Sequence, residues 1–286
     1  MNYSALIENR RSVREFTDQK VCPCKLTEIK EYYHKDCKRL DHGIITALLI
    51  LGSDAREELE GAAGYNQFLV GAPNYMVLLT DKHPQANLNA GYMMEDLVLK
   101  LADMDLGSCW ITFTDSEAVK KALSIESRLD VAAILAFGHG KKAPRRPRIN
   151  ILSMSNINIS AKRRYMDPKK SVSDLVFLNT WGNRQGVEDH LGFFGDMLWE
   201  SLYAVSLCPS YLNRQAFGFL LQDNRLTLVA RPDEFTTQAD GELSLGIAML
   251  HFDVVAESWA AESHWNYEPE VADLPQDHRA VAQRTV

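Results

Sequence analysis

Between residues 145 and 170 the hydrophobic periodicity of the chain breaks off. Arg145-Arg146-Pro147-Arg148, Lys162-Arg163-Arg164 and Lys169-Lys170 stand there among breakers and few apolar neighbours, which reads as a linker or an extended arm. This stretch sets a boundary near residue 165. The blocks on either side differ in charge: residues 1–165 carry 23 Lys+Arg against 20 Asp+Glu, and residues 166–286 carry 8 against 18. The first block can attract a small anion. The second repels nucleic acid and anionic lipid. A length of 286 residues suits about two domains of roughly 150 residues, or one large one.

Composition narrows the class. With 46% hydrophobic residues, 24% charged and ten prolines, the chain reads as a soluble globular protein and not as a collagenous, low-complexity or disordered one. No apolar run approaches the roughly 18 residues of a membrane span. The first dozen residues run into charge without an apolar core of a signal peptide, so a cytoplasmic location is expected. Five cysteines are an odd number at low density, which predicts reduced thiols. Cys22-Pro23-Cys24 with Cys37 does not match zinc-ligand spacing, so no metal is expected.

Helices are predicted at Tyr3–Asn9, Leu26–Arg39, Asn89–Ala102, Phe194–Leu207 and Leu243–Ala256, with Gly107 as a stop signal after the third. Strands are predicted at Tyr75–Leu79, Ala132–Phe137, Phe217–Leu221 and Arg225–Val229. The last fifteen residues read as frayed. A coarse likeness links the blocks, since each carries a strand and then an apolar helix, Gly91–Leu101 and Leu245–Val255. Gly138-His139-Gly140-Lys141-Lys142-Ala143 has the dinucleotide-binding pattern, but Pro144 and Pro147 deny it the helix that pattern needs. No nucleophile motif points to a hydrolase.

The motif with most chemistry is Arg10-Arg11-Ser12-x-Arg14-x-Phe16. Three guanidiniums and a hydroxyl within five residues suit a dianionic phosphate, because each Arg offers a charged planar fork; on composition alone, the turn reads more readily as a solvated basic surface. Further along come Gly71-Ala72-Pro73-x-Tyr75, Leu106-Gly107-Ser108-Cys109-Trp110-Ile111 and Pro209-Ser210-x-x-Asn213-x-Gln215. Together these motifs resemble the nitroreductase family of flavoenzymes, over most of residues 3–148 and more weakly over 194–256. In an ordinary member the Ser-x-x-Asn-x-Gln element follows the Arg-Arg-Ser turn within a few dozen residues and faces the turn of a partner subunit. Here about 200 residues intervene. The chain is similar to a fused, tandem branch in which residues 166–286 stand in for the partner of residues 1–165.

That resemblance implies an α+β fold of mixed, mainly antiparallel sheets flanked by helices, in two pseudo-symmetric halves. It also implies FMN, one per chain, because a mirror-related site would lack both its basic turn and its Ser-x-x-Asn-x-Gln element. The implied contacts are Arg10, Arg11, Ser12, Arg14, Arg146 and Arg148 to the phosphate region, and Asn66, Gln67, Pro209, Ser210, Asn213 and Gln215 to the flavin's polar edge. Trp110, Ile111 and Thr112 are expected near the flavin N5. A catalytic side chain is not expected, since the flavin carries the chemistry. NAD(P)H would be a transient co-substrate and the acceptor a small molecule, a nitroaromatic or quinone; the chain would act as a monomeric pseudo-dimer without nucleic-acid or membrane partners. Thr112 and Phe113 depart from the family, in which a Gly follows the Trp-Ile pair. This motivates the alternative of a flavin-binding pseudo-dimer without turnover.

Overall fold

The fold is that of a computed structural model, which describes residues 1–65, 68–141, 148–153, 156–160, 168–259, 264–271 and 273–286. In the first half come α1 (Tyr3–Asn9), α2 (Pro23–Lys35), β1 (Thr46–Leu51), α3 (Ala55–Leu59), β2 (Asn74–Thr80), α4 (Ala86–Asp103), β3 (Gly107–Ile111), α5 (Ser116–Ala122) and β4 (Asp130–Gly138). After the hairpin β5 (Arg148–Ser153) and β6 (Asn156–Ser160), the second half has α6 (Val172–Leu175), β7 (Val176–Leu178), α7 (Val187–Phe193) and α8 (Asp196–Leu207). It ends with β8 (Phe217–Gln222), β9 (Arg225–Ala230), α9 (Gln238–Ala256) and β10 (Arg279–Thr285).

Two four-stranded sheets result, ordered β1-β2-β4-β3 and β10-β9-β8-β7, and every pair is antiparallel except β7 with β8. The strand β2 is buried along all seven residues, as a central strand covered on both faces must be. Met76, Leu78 and Phe137 face a cluster with α2 and α4, while Tyr75, Val77 and Ile134 face one with α3 and α5. The second sheet packs one face on α8 and α9, through Phe217, Phe219 and Leu228.

The halves are pseudo-symmetric. An antiparallel pair (β1-β2; β8-β9) leads into a long helix (α4; α9), and a strand then returns to the second member of the pair (β4; β10). The two long helices cross closely. A Cβ on Gly91 would lie 2.2 Å from Leu243 O, and one on Gly246 would lie 1.9 Å from Leu88 O, so each glycine admits the other helix's backbone. The first half has β3 and α5 between its long helix and returning strand; among the described residues the second half has no strand there.

Several sequence expectations are corrected. The stop after α4 is not Gly107: the helix ends at Asp103, Asp105 takes a left-handed φ of 56°, and Gly107 opens β3. There the missing Cβ makes room for Val13, whose Cγ2 would lie 2.6 Å from it. The helix predicted from Phe194 starts at Asp196, where Gly195 with φ 82° separates it from α7. The expected linker contains a paired hairpin, Arg148 opposite Ser160. The tail is not frayed, since β10 pairs with β9 across a bulge between Ala280 and Ala282. Its polar residues hid it: Gln283 Nε2 donates to Thr227 Oγ1 at 2.9 Å, and the buried Arg284 donates to Asp253 at 2.6 Å. Nor are all five cysteines reduced. Cys22 caps α2, Pro23 fixes its first turn, and the Cα atoms of Cys22 and Cys24 stand 5.3 Å apart, joined by a disulfide. Cys37, Cys109 and Cys208 are free and buried. No helix among the described residues is long and apolar enough to cross a membrane.

Candidate functional site

The basic turn is laid against the edge of the first sheet. Ser12 bridges Ser108 in parallel, Val13 N donates to Ser108 O at 2.8 Å, and Phe16 bridges Gly140. Thr17 N donates to His139 O and Lys141 N to Glu15 O, so Gly138–Lys141 pairs with the turn and opens no helix. The helix α1, with Ile7 in the second half's core, holds the turn against both halves.

The guanidiniums of the turn differ. Arg10 is nearly buried and its Nε stands 3.6 Å from Glu95 Oε1, without a hydrogen bond. Arg11 bends back, Nη1 donating to Glu8 O and Arg10 O. Ser12 and Arg14 are exposed, and neither side chain makes a hydrogen bond or ion pair among the described residues. An exposed hydroxyl, an exposed guanidinium and a nearly buried one with an orphaned Nε suit an anionic phosphate.

A buried polar network lies behind this turn. Trp110, on β3, packs against both halves' cores, and its Nε1 donates to Glu95 Oε2 at 3.2 Å. The other oxygen, Oε1, lies 3.0 Å from His251 Nε2, and His251 Nδ1 lies 3.0 Å from Ala204 O. A carbonyl only accepts, so Nδ1 carries hydrogen and one proton bridges His251 Nε2 and Glu95. Glu95 and His251 are fully buried and come from opposite halves, on α4 and α9. Sequence reasoning missed both. The available signal was a charged pair, Glu95-Asp96, inside an otherwise apolar helix, a placement that demands partners.

From the other half, the segment after α8 faces the turn. Burial pushes the Cys208 thiol up to about 12, with Lys169 and Arg10 opposing the shift, so both cations lie near it. Pro209 is buried, Ser210 Oγ accepts from Gln215 N at 2.9 Å, and Lys169 Nζ donates to Cys208 O and Asn213 Oδ1. Asn213 Nδ2 donates to Pro168 O, and Gln215 Oε1 and Nε2 are engaged by Lys170 N and Ser206 O. These bonds hold a costly backbone: Leu212, Asn213 and Gln215 have φ of 46°, 59° and 45°, at about 1–3 kcal/mol for each non-glycine residue so placed.

The floor comes from residues 110–113. Ile111 buries its side chain in the first half's core and so presents backbone alone. Thr112 O accepts from Gly64 N at 2.7 Å and Phe113 bridges Ala63. The exposed Tyr65, beyond Gly64, is near enough to the second half to raise the Tyr211 pKa, after burial and Asp240. Thus the Arg10 turn, Trp110 and the end of α8 are linked across the halves through Glu95 and His251. Arg148 begins β5; Asn66, Gln67 and Arg146 lie outside the described residues.

The chain is similar to solved nitroreductase structures. One, described as a "putative nitroreductase" from Thermotoga maritima, is 18% identical with a TM-score of 0.58, covering 100% of this chain and 94% of that one. A nitroreductase family protein from Clostridium novyi NT is 19% identical, TM-score 0.44, over 51% of this chain and 89% of its own. A nitroreductase from Desulfovibrio desulfuricans in complex with FMN is 22% identical, TM-score 0.41, over 51% and 92%. No curated protein matches the chain. The family model described as "Putative TM nitroreductase" matches residues 2–176, more than half of the chain, and the chain therefore belongs to this nitroreductase family.

Proposed function

We propose that this protein is an FMN-dependent oxidoreductase of nitroreductase type, with one flavin site per chain built by residues 1–165 and completed by residues 166–286. When bound, the flavin supplies the hydride-carrying centre between NAD(P)H and a small acceptor, a nitroaromatic or quinone. The observation that carries the reading is the seam itself: the Arg10–Arg14 turn, docked on β3 through Ser108, is linked through Arg10, Glu95 and His251 to the end of α8 in the other half, just before Cys208–Gln215. The FMN complex of the Desulfovibrio relative is in keeping with it.

Each residue has a task under this reading. Ser12, Arg14 and the free end of Arg10 hold the phosphate. Arg146 and Arg148, from the late basic pair, and Arg11 add positive potential there. The backbone of Ile111 and Thr112 addresses the flavin's central ring, beside Trp110. Asn66, Gln67 and the rigid Pro209–Gln215 turn form the polar wall, and Tyr65 gives the mouth an aromatic side suited to a planar acceptor. Glu95 fixes Trp110 and Arg10 from behind. The protein acts in the cytoplasm as a monomer, with no nucleic-acid or membrane partner.

The test is the visible spectrum of the purified protein. A flavin band that survives gel filtration, and bleaches within seconds on mixing with NADH or NADPH, is expected. A protein that stays colourless with excess FMN overturns the reading. Bound flavin that neither nicotinamide bleaches leaves the flavin-binding pseudo-dimer without turnover. Arg14→Gln is expected to weaken FMN binding about tenfold, by removing a charge-assisted contact of about 1.5 kcal/mol.

A further inference from the structure

Eight basic residues face 18 acidic ones in residues 166–286. Four of them, Lys170, Arg184, Arg214 and Arg231, gather where β8 begins and β9 ends. Lys170 Nζ donates to Gln215 O at 2.7 Å, and the next carbonyl, Ala216 O, accepts from Arg231 N at 3.0 Å. The ammonium and the root of the Arg231 side chain therefore flank one short piece of backbone. Arg184 lies over the Phe177 ring at 5.0 Å and is close enough to repel both.

Two of the four cations are offset by carboxylates. Arg214 holds Asp233 through Nε at 2.8 Å and Nη2 at 2.6 Å, and Arg184 reaches Asp174 at 3.3 Å. Among the described residues, Lys170 and Arg231 have no carboxylate within ion-pair distance and the Arg231 guanidinium makes no hydrogen bond. Both are half-buried. Burial first, then the three arginines, pushes the Lys170 ammonium down to about 8; burial and Arg184 likewise lower Arg231. Two desolvated, mutually repelling cations cost stability unless an anion satisfies them.

We propose that Lys170, Arg184 and Arg231 form an anion site, distinct from the N-terminal basic turn, that takes a dianionic phosphate group. Two positive charges remain after Asp174 and Asp233 are offset, so a dianion completes the balance, and two guanidinium forks suit its oxygens. The surrounding acidic half excludes polyanions, which restricts the ligand to a compact one. Neighbouring Lys169 is engaged instead by Cys208 O and Asn213 Oδ1, and Lys170 holds Gln215 O of the same segment, so occupancy would brace the Pro209–Gln215 turn.

The test is equilibrium dialysis of FMN-saturated protein against labelled inorganic phosphate at pH 7 and constant ionic strength. One saturable site is expected, weakened about tenfold or more by Arg231→Gln and by Lys170→Gln, and kept in Ser12→Ala. Absence of saturable binding, or loss in Ser12→Ala with none in Arg231→Gln, overturns the proposal. Far-ultraviolet melting identifies any variant that fails to fold, and the remaining variant then decides. The comparison holds equally for protein that retains no flavin, so its failure is distinguishable from failure of the flavin reading. At pH 8, two-buffer calorimetry should show proton uptake on binding, as the dianion restores the charge of Lys170 against Arg184, Arg214 and Arg231; Asp174, beside it, already does so in part. A phosphate monoester, phenyl phosphate, binding more tightly than phosphate identifies an organic ester as the source, and equal binding identifies free phosphate; both uphold the site.

Discussion

Glu95 is the residue on which the seam turns. It accepts from Trp110, shares a proton with His251 and stands beside Arg10, so one carboxylate from α4 orients a β3 indole, an α9 imidazole and the first arginine of the basic turn. Removing one member of a buried charged set leaves the others unsatisfied, at a cost of about 3–5 kcal/mol. Glu95→Leu keeps the volume and removes both oxygens. Its urea-unfolding midpoint should fall by an amount matching that loss, and FMN retention should fall as well. Unchanged stability would mean that Arg10 and His251 find other partners. The sequence made the basic turn legible because its residues are adjacent. His251 was one of eight scattered histidines, and its partner lies 156 positions away, a distance no single-sequence pattern spans.

At the scale of elements, the crossing of α4 and α9 holds the halves together through backbone contact at Gly91 and Gly246, flanked by Tyr92 to Asp253 at 3.0 Å and Asn87 to Glu242 at 3.1 Å. Ala in place of a helical glycine ordinarily gains about 1 kcal/mol. Here Gly246→Ala drives a methyl into the Leu88 carbonyl, which cannot swing aside as a side chain would, and overpacking of about 1–3 kcal/mol or more outweighs the gain. A lower melting temperature is the expected outcome; a higher one would show that the helices separate freely. The long helices and β2, β4, β8 and β9 were legible because their apolar periods are undiluted. The strand β10 was not, since its buried Arg284 imitates a surface residue. Arg284 holds Asp253, which Trp265 and Tyr92 also bond, and stacks over Phe252 with its Cζ 4.4 Å from the ring centroid. Arg284→Leu therefore strands a buried carboxylate and should cost about 3–5 kcal/mol in chemical denaturation, whereas Arg279→Leu, exposed on the same strand, should be near neutral.

For the whole molecule, the proposed function has the Ser210–Gln215 element serve the distant basic turn, and the topology favours one such pairing over its mirror image. The strand β3 supplies Ser108 to dock the turn and Trp110 and Ile111 beside the seam, and the second half passes from α9 to β10 without an equivalent strand among the described residues. On the mirror side, the segment after α2 is already tied down: Lys38 N donates to Asp96 Oδ2, and Leu40 N and Asp41 N to Asn89 Oδ1. Among the described residues that seam also lacks an equivalent of β3. The sequence could not show this, because the loss of a strand leaves no motif behind. Under the proposed function, a chain that carries both walls of its site needs no second copy to complete it. Flavin released by denaturing a fully loaded sample should therefore approach one FMN per chain, in a species that sediments as a monomer. Two FMN per chain would mean that the mirror seam is a site after all, and flavin bound by a dimer alone would mean that the second half does not replace the partner subunit.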